Sequence, residues 1–502
     1  MARTDFHGLA QYQPSMIEYG LLPFRLARFD EGRYIISNDV GDHAILANAD
    51  LEALISKRLD PASKTYLDLR AKNMVTDDRA SVHGRVLASR YRTKKSFLDG
   101  FTKLHMFVAT LRCDHSCPYC QVSRQSEDRL RYDMTPEIAR KGVDLMLSVP
   151  ATAVTCEFQG GEALLNFPLV QETVAYAKER NQVIGKRIDF VVCTNLSTLT
   201  DDHLDWFKRE GVLVSTSLDG PAALHDKNRP FSKGSSHAVV ERNIRRVQEA
   251  LGPGSVSALM TTTKDSLAHA DEIIDEYLRL GLEAIFLRPL SPYGFAVKTV
   301  KAIGYDMDDF LRFYVRALER IIAVNRTGRH FPELYATLIL RKILTPFPQG
   351  YVDLQSPAGA GFSAVVYNYD GEVYASDESR MLAEMGDTSF RLGNVLEDSY
   401  QDIFFGERMQ AIAAASCNES LAGCSDCAFQ PWCGADPVYH YATQGDMFGH
   451  RPSSGFCKKN MGIIGHVLKL LHSGDDELED IFWAWINRTS LAETRMPEVA
   501  WR

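Results

Sequence analysis

Eight of the ten cysteines in this 502-residue chain fall into two groups. Cys113, Cys117 and Cys120 form one, and Cys417, Cys424, Cys427, Cys433 and Cys457 the other. The first reads Cys113-x3-Cys117-x2-Cys120. Three thiolates on one short loop can hold three irons of a [4Fe–4S] cube and leave the fourth iron open to a chelating small molecule. Zinc is the alternative: a structural zinc closes with four ligands, and His115 lies in the same loop. The spacing Cys424-x2-Cys427-x5-Cys433, followed by Cys457, makes a four-thiolate set suited to an iron–sulfur cluster or to a structural zinc. Cys417 is left over as an alternative ligand, a free thiol or a filler. Cys156 and Cys193 stand alone in the apolar runs Val154-Thr155-Cys156-Glu157-Phe158 and Phe190-Val191-Val192-Cys193. Both read as core residues, because free cysteine is among the most buried residue types.

Composition narrows the classes. The chain is 45% hydrophobic and 24% charged, a globular balance long enough for roughly three domains. With 65 acidic against 56 basic residues it carries a net charge of −9, which speaks against a nucleic-acid partner. Met1-Ala2-Arg3-Thr4-Asp5 lacks an apolar export segment, and no stretch of about 18 apolar residues occurs. These features predict a cytoplasmic protein with no membrane span, whose cysteines serve metal or redox chemistry rather than disulfides.

The elements that position the first cysteine loop are a run of strand and helix patterns. Strands are expected at 105–110, 153–158, 188–194, 213–217, 256–261 and 284–287. Amphipathic helices are expected between them at 136–148, 169–181, 201–210, 238–251 and 268–280. Repeated βα units imply a parallel sheet, and six strands imply an open or partial barrel that presents its site at the C-terminal strand ends. Ahead of it, residues 22–80 read as three short strands, turning at Asp30-Glu31-Gly32 and between Asn38 and Gly41, followed by helices. This is a winged-helix-like module. Arg85, Arg90, Arg92, Lys94 and Lys95 mark a basic stretch, read as a solvated connector ahead of a peptide-binding patch. Residues 310–350 read as helical, 363–375 as a hairpin turning at Asp370-Gly371, and the chain from Met461 as a helical tail. The expected divisions are 1–84, a linker at 85–102, the barrel at 103–310, a cysteine-rich domain at 311–460 and a tail at 461–502. The fold class is α/β.

The loop Cys113-Asp114-His115-Ser116-Cys117-Pro118-Tyr119-Cys120 directly follows the first barrel strand and has an aromatic before its last cysteine. It resembles the radical S-adenosylmethionine superfamily. Gly160-Gly161-Glu162, Asn195, Ser217 and Asp219 follow at successive strand ends, then Arg229 and, after the sixth strand, Arg288. The resemblance implies a [4Fe–4S] cluster that binds S-adenosylmethionine (AdoMet) and cleaves it reductively to a 5′-deoxyadenosyl radical. It also implies that Glu162 meets the AdoMet amino group, that Gly160 and Gly161 permit close backbone approach, and that Ser217 and Asp219 meet the ribose. Tyr119 and Asn195 belong to the same cofactor-binding set, and Arg229 lies near the substrate or the carboxylate.

The second cysteine set resembles the SPASM branch, whose members mostly modify peptides or proteins and carry two auxiliary clusters. Here Pro437 stands four residues after Cys433, and Ser376 precedes Asp377 where relatives carry a ligand cysteine and a catalytic Asp. The resemblance then implies one auxiliary [4Fe–4S] cluster, on Cys424, Cys427, Cys433 and Cys457. It makes Asp377 and Arg288 the catalytic candidates, against a plain surface pairing of Asp377 with Arg380. The N-terminal module is similar to the winged-helix leader-recognition element of ribosomal peptide maturases, its third strand able to accept a leader. Leu22-Pro23-Phe24-Arg25, Glu31-Gly32-Arg33-Tyr34 and Pro289-Leu290-Ser291-Pro292-Tyr293-Gly294-Phe295 look most like the radical maturase B component of the His-Xaa-Ser system. Implied partners are a precursor peptide with its leader, an electron donor such as flavodoxin or ferredoxin, and a companion radical maturase. A sulfatase-type maturase forming formylglycine is the first rival, and a non-catalytic iron–sulfur scaffold the second.

Overall fold

The computed structural model describes residues 19–76 and 82–494. The N-terminal residues read for an export segment lie outside them. Arg25–Asp30 (β1), Arg33–Ser37 (β2) and His43–Ala47 (β3) form an antiparallel sheet in the order β1-β2-β3. One face, with Ile36, Ala44 and Leu46, packs on the helices Asn48–Ile55 and Lys64–Ala71 through Leu51, Leu54, Tyr66 and Leu69. β3 is an edge of this sheet.

The basic stretch, read as a solvated connector, buries no residue but is helical and paired at several points. Val82–Lys95 is a helix. It clamps the N-terminal sheet to the cysteine-rich region: Arg90 pairs with Asp42, and Lys95 and Tyr91 Oη both reach Glu419. Ser37 Oγ donates to Ala428 O at 2.6 Å, and His43 sets its ring edge-on to Trp432 at 5.3 Å.

An eight-stranded sheet forms the centre. Leu104–Thr110 (β4), Ala153–Gly160 (β5), Arg187–Cys193 (β6), Leu213–Ser217 (β7) and Val256–Leu259 (β8) run parallel. The sheet continues through Ala364–Tyr367 (β9), Glu372–Tyr374 (β10) and Arg391–Asn394 (β11) in the order β8-β7-β6-β5-β4-β9-β10-β11. β9 lies parallel to β4, with Ala364 opposite Leu104, so the cysteine-rich region extends the same sheet. β4 is buried from His105 to Thr110, as a strand covered on both faces must be. Crossover helices Pro136–Ser148, Phe167–Ile184, Asp201–Glu210, Ser236–Leu251 and Ala270–Arg279 start at the turn chemistry their sequences carry. Thr135 caps a helix with proline in its first turn, and Thr200 caps the next but one.

The sixth strand expected at 284–287 is not part of this sheet. Ile285 bridges Glu333 instead: its N–H donates to Pro332 O at 3.1 Å and its carbonyl accepts from Leu334 N at 2.8 Å. Glu333 Oε1 takes the Leu287 N–H at 3.2 Å, which ends any ladder there. Helices Met307–Arg326, Leu334–Leu344, Gly455–Leu471 and Asp476–Asn487 cover that side. No described helix is long and apolar enough to cross a membrane.

Candidate active site

The cysteine loop leaves β4 on a fixed base. Arg112, 3% exposed, grips Asp133 with Nε at 2.7 Å and Nη2 at 2.9 Å, and Thr110 Oγ1 donates to the same carboxylate at 2.6 Å. The far end of the loop is held by the helix Phe295–Ile303: Phe295 N donates to Cys120 O, and Thr299 Oγ1 to Pro118 O at 2.8 Å. Gly160 and Gly161 are required here by packing. A Cβ at Gly160 would lie 2.1 Å from Thr110 O, and one at Gly161 2.2 Å from Arg112 O. Their lack of side chains therefore serves the junction of β5 with the loop as well as the cavity they line.

The cavity holds about 490 Å³ and is lined by Cys113, Cys117, Tyr119, Cys120, Gly160, Gly161, Asn195, Ser217, Arg229, Arg288 and Asp377 among the expected residues. Glu162 and Asp219, both 0% exposed, do not reach its surface. Glu162 Oε1 accepts from Thr194 Oγ1 at 2.7 Å and Leu164 N at 3.0 Å, and Oε2 from Asn195 N at 2.7 Å. Three donors from the wall thus engage both oxygens, and the carboxylate lies outside the cavity lining where the resemblance implies a contact with an ammonium. Asp219 accepts from Tyr119 Oη, Arg229 Nε at 3.1 Å and Thr261 N at 3.1 Å. It fixes Tyr119 and Arg229 rather than facing a ribose. Arg229 in turn lies 5.3 Å above the Tyr119 ring and is held strongly protonated. Asn195 Nδ2 donates to Asp114 Oδ1 at 2.9 Å, which ties the end of β6 to the cysteine loop.

Opposite the cysteines the wall is acidic. Asp377 Oδ1 accepts from Gln159 Nε2 at 2.9 Å and Arg380 Nε at 3.3 Å, so it both faces the cavity and pairs with Arg380. Glu157, Asp353 and Glu378 line the same wall and were not singled out from sequence. Burial and the neighbouring Asp377 push Glu157 up to about 7. Burial, Asp353 and Asp377 push Glu378 up to about 7. Glu157 did leave a signal, a carboxylate inside an apolar strand. Cys156 is buried as expected, but Cys193 lines the cavity beside Glu157.

All ten cysteines are free. Among the described residues, the trios of cysteine, histidine and carboxylate ligand atoms within 4.8 Å of one another are Cys113–Asp114–His115 and His237–Glu241–Glu276. No three thiols are that close. Zinc at about 2.3 Å from each of four thiolates sets its sulfurs roughly 3.8 Å apart, whereas an iron–sulfur cube spreads them wider. His115 is already engaged, its Nδ1 2.8 Å from Asp114 Oδ1 and its ring stacked on Phe231 at 4.8 Å. Burial pushes the Cys117 thiol up to about 12, as it pushes the Cys156 and Cys193 thiols upward. Each set supplies the thiol donors that an iron–sulfur cube takes, three in the first and four in the second. In the second set, Cys457 lies within electrostatic reach of Cys424, Cys427 and Cys433. Arg451 Nε donates to Cys424 Sγ at 3.0 Å, and Asn460 Nδ2 to Cys433 Sγ at 3.4 Å. Cys417 stands apart beside Glu419 and Lys95, its Sγ directed at Ala413 O at 3.6 Å.

Residues 107–283 match the sequence model of the Radical SAM superfamily. The aligned stretches span 65% and 67% of the lengths of the first two curated relatives. A cysteine-type anaerobic sulfatase-maturating enzyme of Clostridium novyi is 22% identical over 377 residues, 72% of this chain and 96% of the relative. Native anSMEcpe with bound AdoMet is similar in structure with a TM-score of 0.62 at 16% identity, covering 76% of this chain and 99% of that one. Streptococcus suis SuiB bound to the precursor peptide SuiA gives 0.53 at 12% identity, covering 87% and 98%. These structures share the fold.

Proposed function

With residues 107–283 forming a radical SAM domain, we propose that this chain is a radical SAM maturase that oxidises or crosslinks a ribosomally made precursor peptide, of the His-Xaa-Ser repeat type. One observation carries the reading: the cysteine loop, the strand-end polar groups and the acids of the C-terminal region all line a single cavity. Cys113, Cys117 and Cys120 would hold a [4Fe–4S] cluster, with AdoMet on its open iron. When bound, that pair supplies a 5′-deoxyadenosyl radical able to take hydrogen from an unactivated carbon.

The protein's own groups do the rest. Ser217 and Thr261 offer hydroxyl groups, and Asn195 a side-chain amide, at the strand ends to a nucleoside. Arg229, fixed by Asp219, presents a cation beside Cys117 that suits a carboxylate. Leu104, Met106, Val122 and Leu259 line the cavity and exclude water. Asp377, with Oδ1 engaged by Gln159 and Arg380, offers Oδ2 to a proton leaving the substrate. Arg288, which also lines the cavity, orients the substrate. Cys424, Cys427, Cys433 and Cys457 would hold the auxiliary cluster, and an electron donor such as flavodoxin or ferredoxin would reduce the enzyme. The edge strand β3 would take the leader by strand addition, and a companion maturase would share the peptide.

Formylglycine formation is the second reading, favoured by the match over 96% of the Clostridium novyi enzyme. Ser376 and Pro437, in place of inner-cluster cysteines, weigh against it. The test is anaerobic reconstitution with dithionite and AdoMet, with and without a synthetic leader-bearing His-Xaa-Ser peptide. Release of 5′-deoxyadenosine together with a peptide lighter by two hydrogens is expected. Release of 5′-deoxyadenosine with an unchanged peptide, alongside conversion of a Cys- or Ser-type sulfatase peptide, would move the assignment to the second reading.

A further inference from the structure

The cations around the C-terminal cysteines lack carboxylate partners. Arg451 is 7% exposed. Its Nε donates to Cys424 Sγ at 3.0 Å, and its Nη1 lies 2.7 Å from His440 Nε2. Nη2 is buried with no partner. His440 is a neutral acceptor rather than a counter-charge, its ring held unprotonated by burial and the Arg451 guanidinium. Lys342 donates to Cys433 O at 3.0 Å, and Lys459, 8% exposed, lies 5.0 Å above the rings of Tyr335 and Phe456. Among the described residues none of the three has a carboxylate within ion-pair distance. A buried cation without a counter-charge is costly, and removing the partner of such a group is worse than never burying it. Lys459 also faces Asp353 and Asp436, and burial pushes Lys342 down to about 7, whereas the anion that Arg451 faces is the cysteine set itself.

Four thiolates around an oxidised [4Fe–4S] core carry a net double negative charge, and a triple one after uptake of an electron. A fixed cation at a ligand sulfur therefore stabilises the reduced form more than the oxidised form. Hydrogen bonds to the sulfurs and local charge are among the terms that set such potentials. Asn460, held by Tyr335 Oη at 2.6 Å on its Oδ1, gives Cys433 a neutral donor. Arg451 gives Cys424 a charged one.

We infer that Arg451 is a redox-tuning residue: donating to Cys424, it raises the reduction potential of the cluster on Cys424, Cys427, Cys433 and Cys457, and so fits that site to take up an electron. The inference rests on the proposed assignment of those cysteines to a cluster.

The test is metal analysis and EPR-monitored redox titration of the reconstituted full chain, in the Cys113→Ala, Cys117→Ala, Cys120→Ala background that removes the first cluster's signal. Arg451→Gln is expected to keep its iron and sulfide while its midpoint moves negative. At fixed potential the oxidised-to-reduced ratio should change by about tenfold, 59 mV for a one-electron couple. Arg451→Lys keeps the charge but loses the directed donor and should fall between. An unchanged midpoint in Arg451→Gln with iron retained overturns the role. Where Arg451→Gln loses its cluster, Arg451→Lys decides alone: a midpoint more negative than the parent's supports the directed donor and an unshifted one overturns it. Zinc in place of iron in the background protein is a separate result, which removes the cluster assignment and the tuning role with it.

Discussion

Glu162 Oε2 accepts the backbone N–H of Asn195 at 2.7 Å, so the end of β6 hangs on a carboxylate at the end of β5. The same carboxyl holds Thr194 and Leu164. Its three donors come from a strand end, a side chain and a helical turn, and two of them, Thr194 and Asn195, also line the cavity. Glu162→Gln replaces one acceptor oxygen with an NH₂ facing an N–H or O–H donor. A cost of about 1–3 kcal/mol is expected, the usual penalty of an unsatisfied buried donor. Thermal unfolding of the anaerobic protein should show it, with AdoMet affinity falling in step as Asn195 shifts. A Gln variant that melts like the parent yet fails to bind AdoMet would return Glu162 to direct contact with the cofactor.

The acidic wall predicts a pH dependence. Glu157 and Glu378 are each pushed up to about 7, and Asp436, buried near Asp353 and Glu378, up to about 8. A carboxyl raised in the folded state binds its proton more tightly there than in the unfolded chain. Its stabilising contribution is full below the ordinary carboxylate range and lost as pH rises through the folded value. Glu378→Gln removes one of these titrations. Its melting temperature should match the parent near about pH 4.5, where the parent carboxyl is protonated, and exceed it near about pH 8.5. The gain should correspond to about 1–3 kcal/mol. Parallel melting curves at the two pH values for parent and variant would contradict the shift.

Which parts of this site the sequence carried follows from what a pattern can encode. The cysteine spacing, the strand ends at Gly160-Gly161, Asn195 and Ser217, and the hairpin at Asp370-Gly371 are local, and all are where the residues put them. The failures are matters of direction and partner. Glu162 and Asp219 sit at the expected strand ends, but their carboxylates turn into the wall, where Asn195, Thr194, Tyr119 and Arg229 compete for them. The segment 284–287 has a strand composition, but its backbone groups are claimed by Pro332, Glu333 and Leu334, some 47 positions on by the Ile285 and Pro332 numbering. Arg451 and Lys342 could not be singled out, because a lone cation gains meaning only beside Cys424 or Cys433.

The junction between β5 and the cysteine loop predicts a sharp contrast between two glycines. Gly160→Ala sets a methyl carbon 2.1 Å from Thr110 O at a positive φ of 135°, and rigid backbone must move. Gly185, at the end of the helix Phe167–Ile184, also has a positive φ, 78°, but open space around it. Gly185→Ala should cost about 1 kcal/mol, the left-handed penalty alone. Gly160→Ala should cost several times more and yield little soluble protein. Equal soluble yields and melting temperatures for the two would mean that the loop can retreat from β5.

Metal content separates the two cysteine sets. Two cubes predict ~8 iron and ~8 sulfide per chain after anaerobic reconstitution. Cys113→Ala with Cys117→Ala and Cys120→Ala should remove about half of each and abolish release of 5′-deoxyadenosine. Replacing Cys424, Cys427, Cys433 and Cys457 by alanine should also remove about half, while AdoMet cleavage without peptide continues. The second variant is the more informative, since it leaves the Arg451 guanidinium buried beside a neutral alanine. It should therefore lose stability as well as iron, because a cation that had faced an anionic centre is then buried without one. About four irons and one zinc in the parent chain would assign the C-terminal set to a structural role. About twelve irons would mean that ligands other than cysteine complete a third cluster near Ser376 and Pro437.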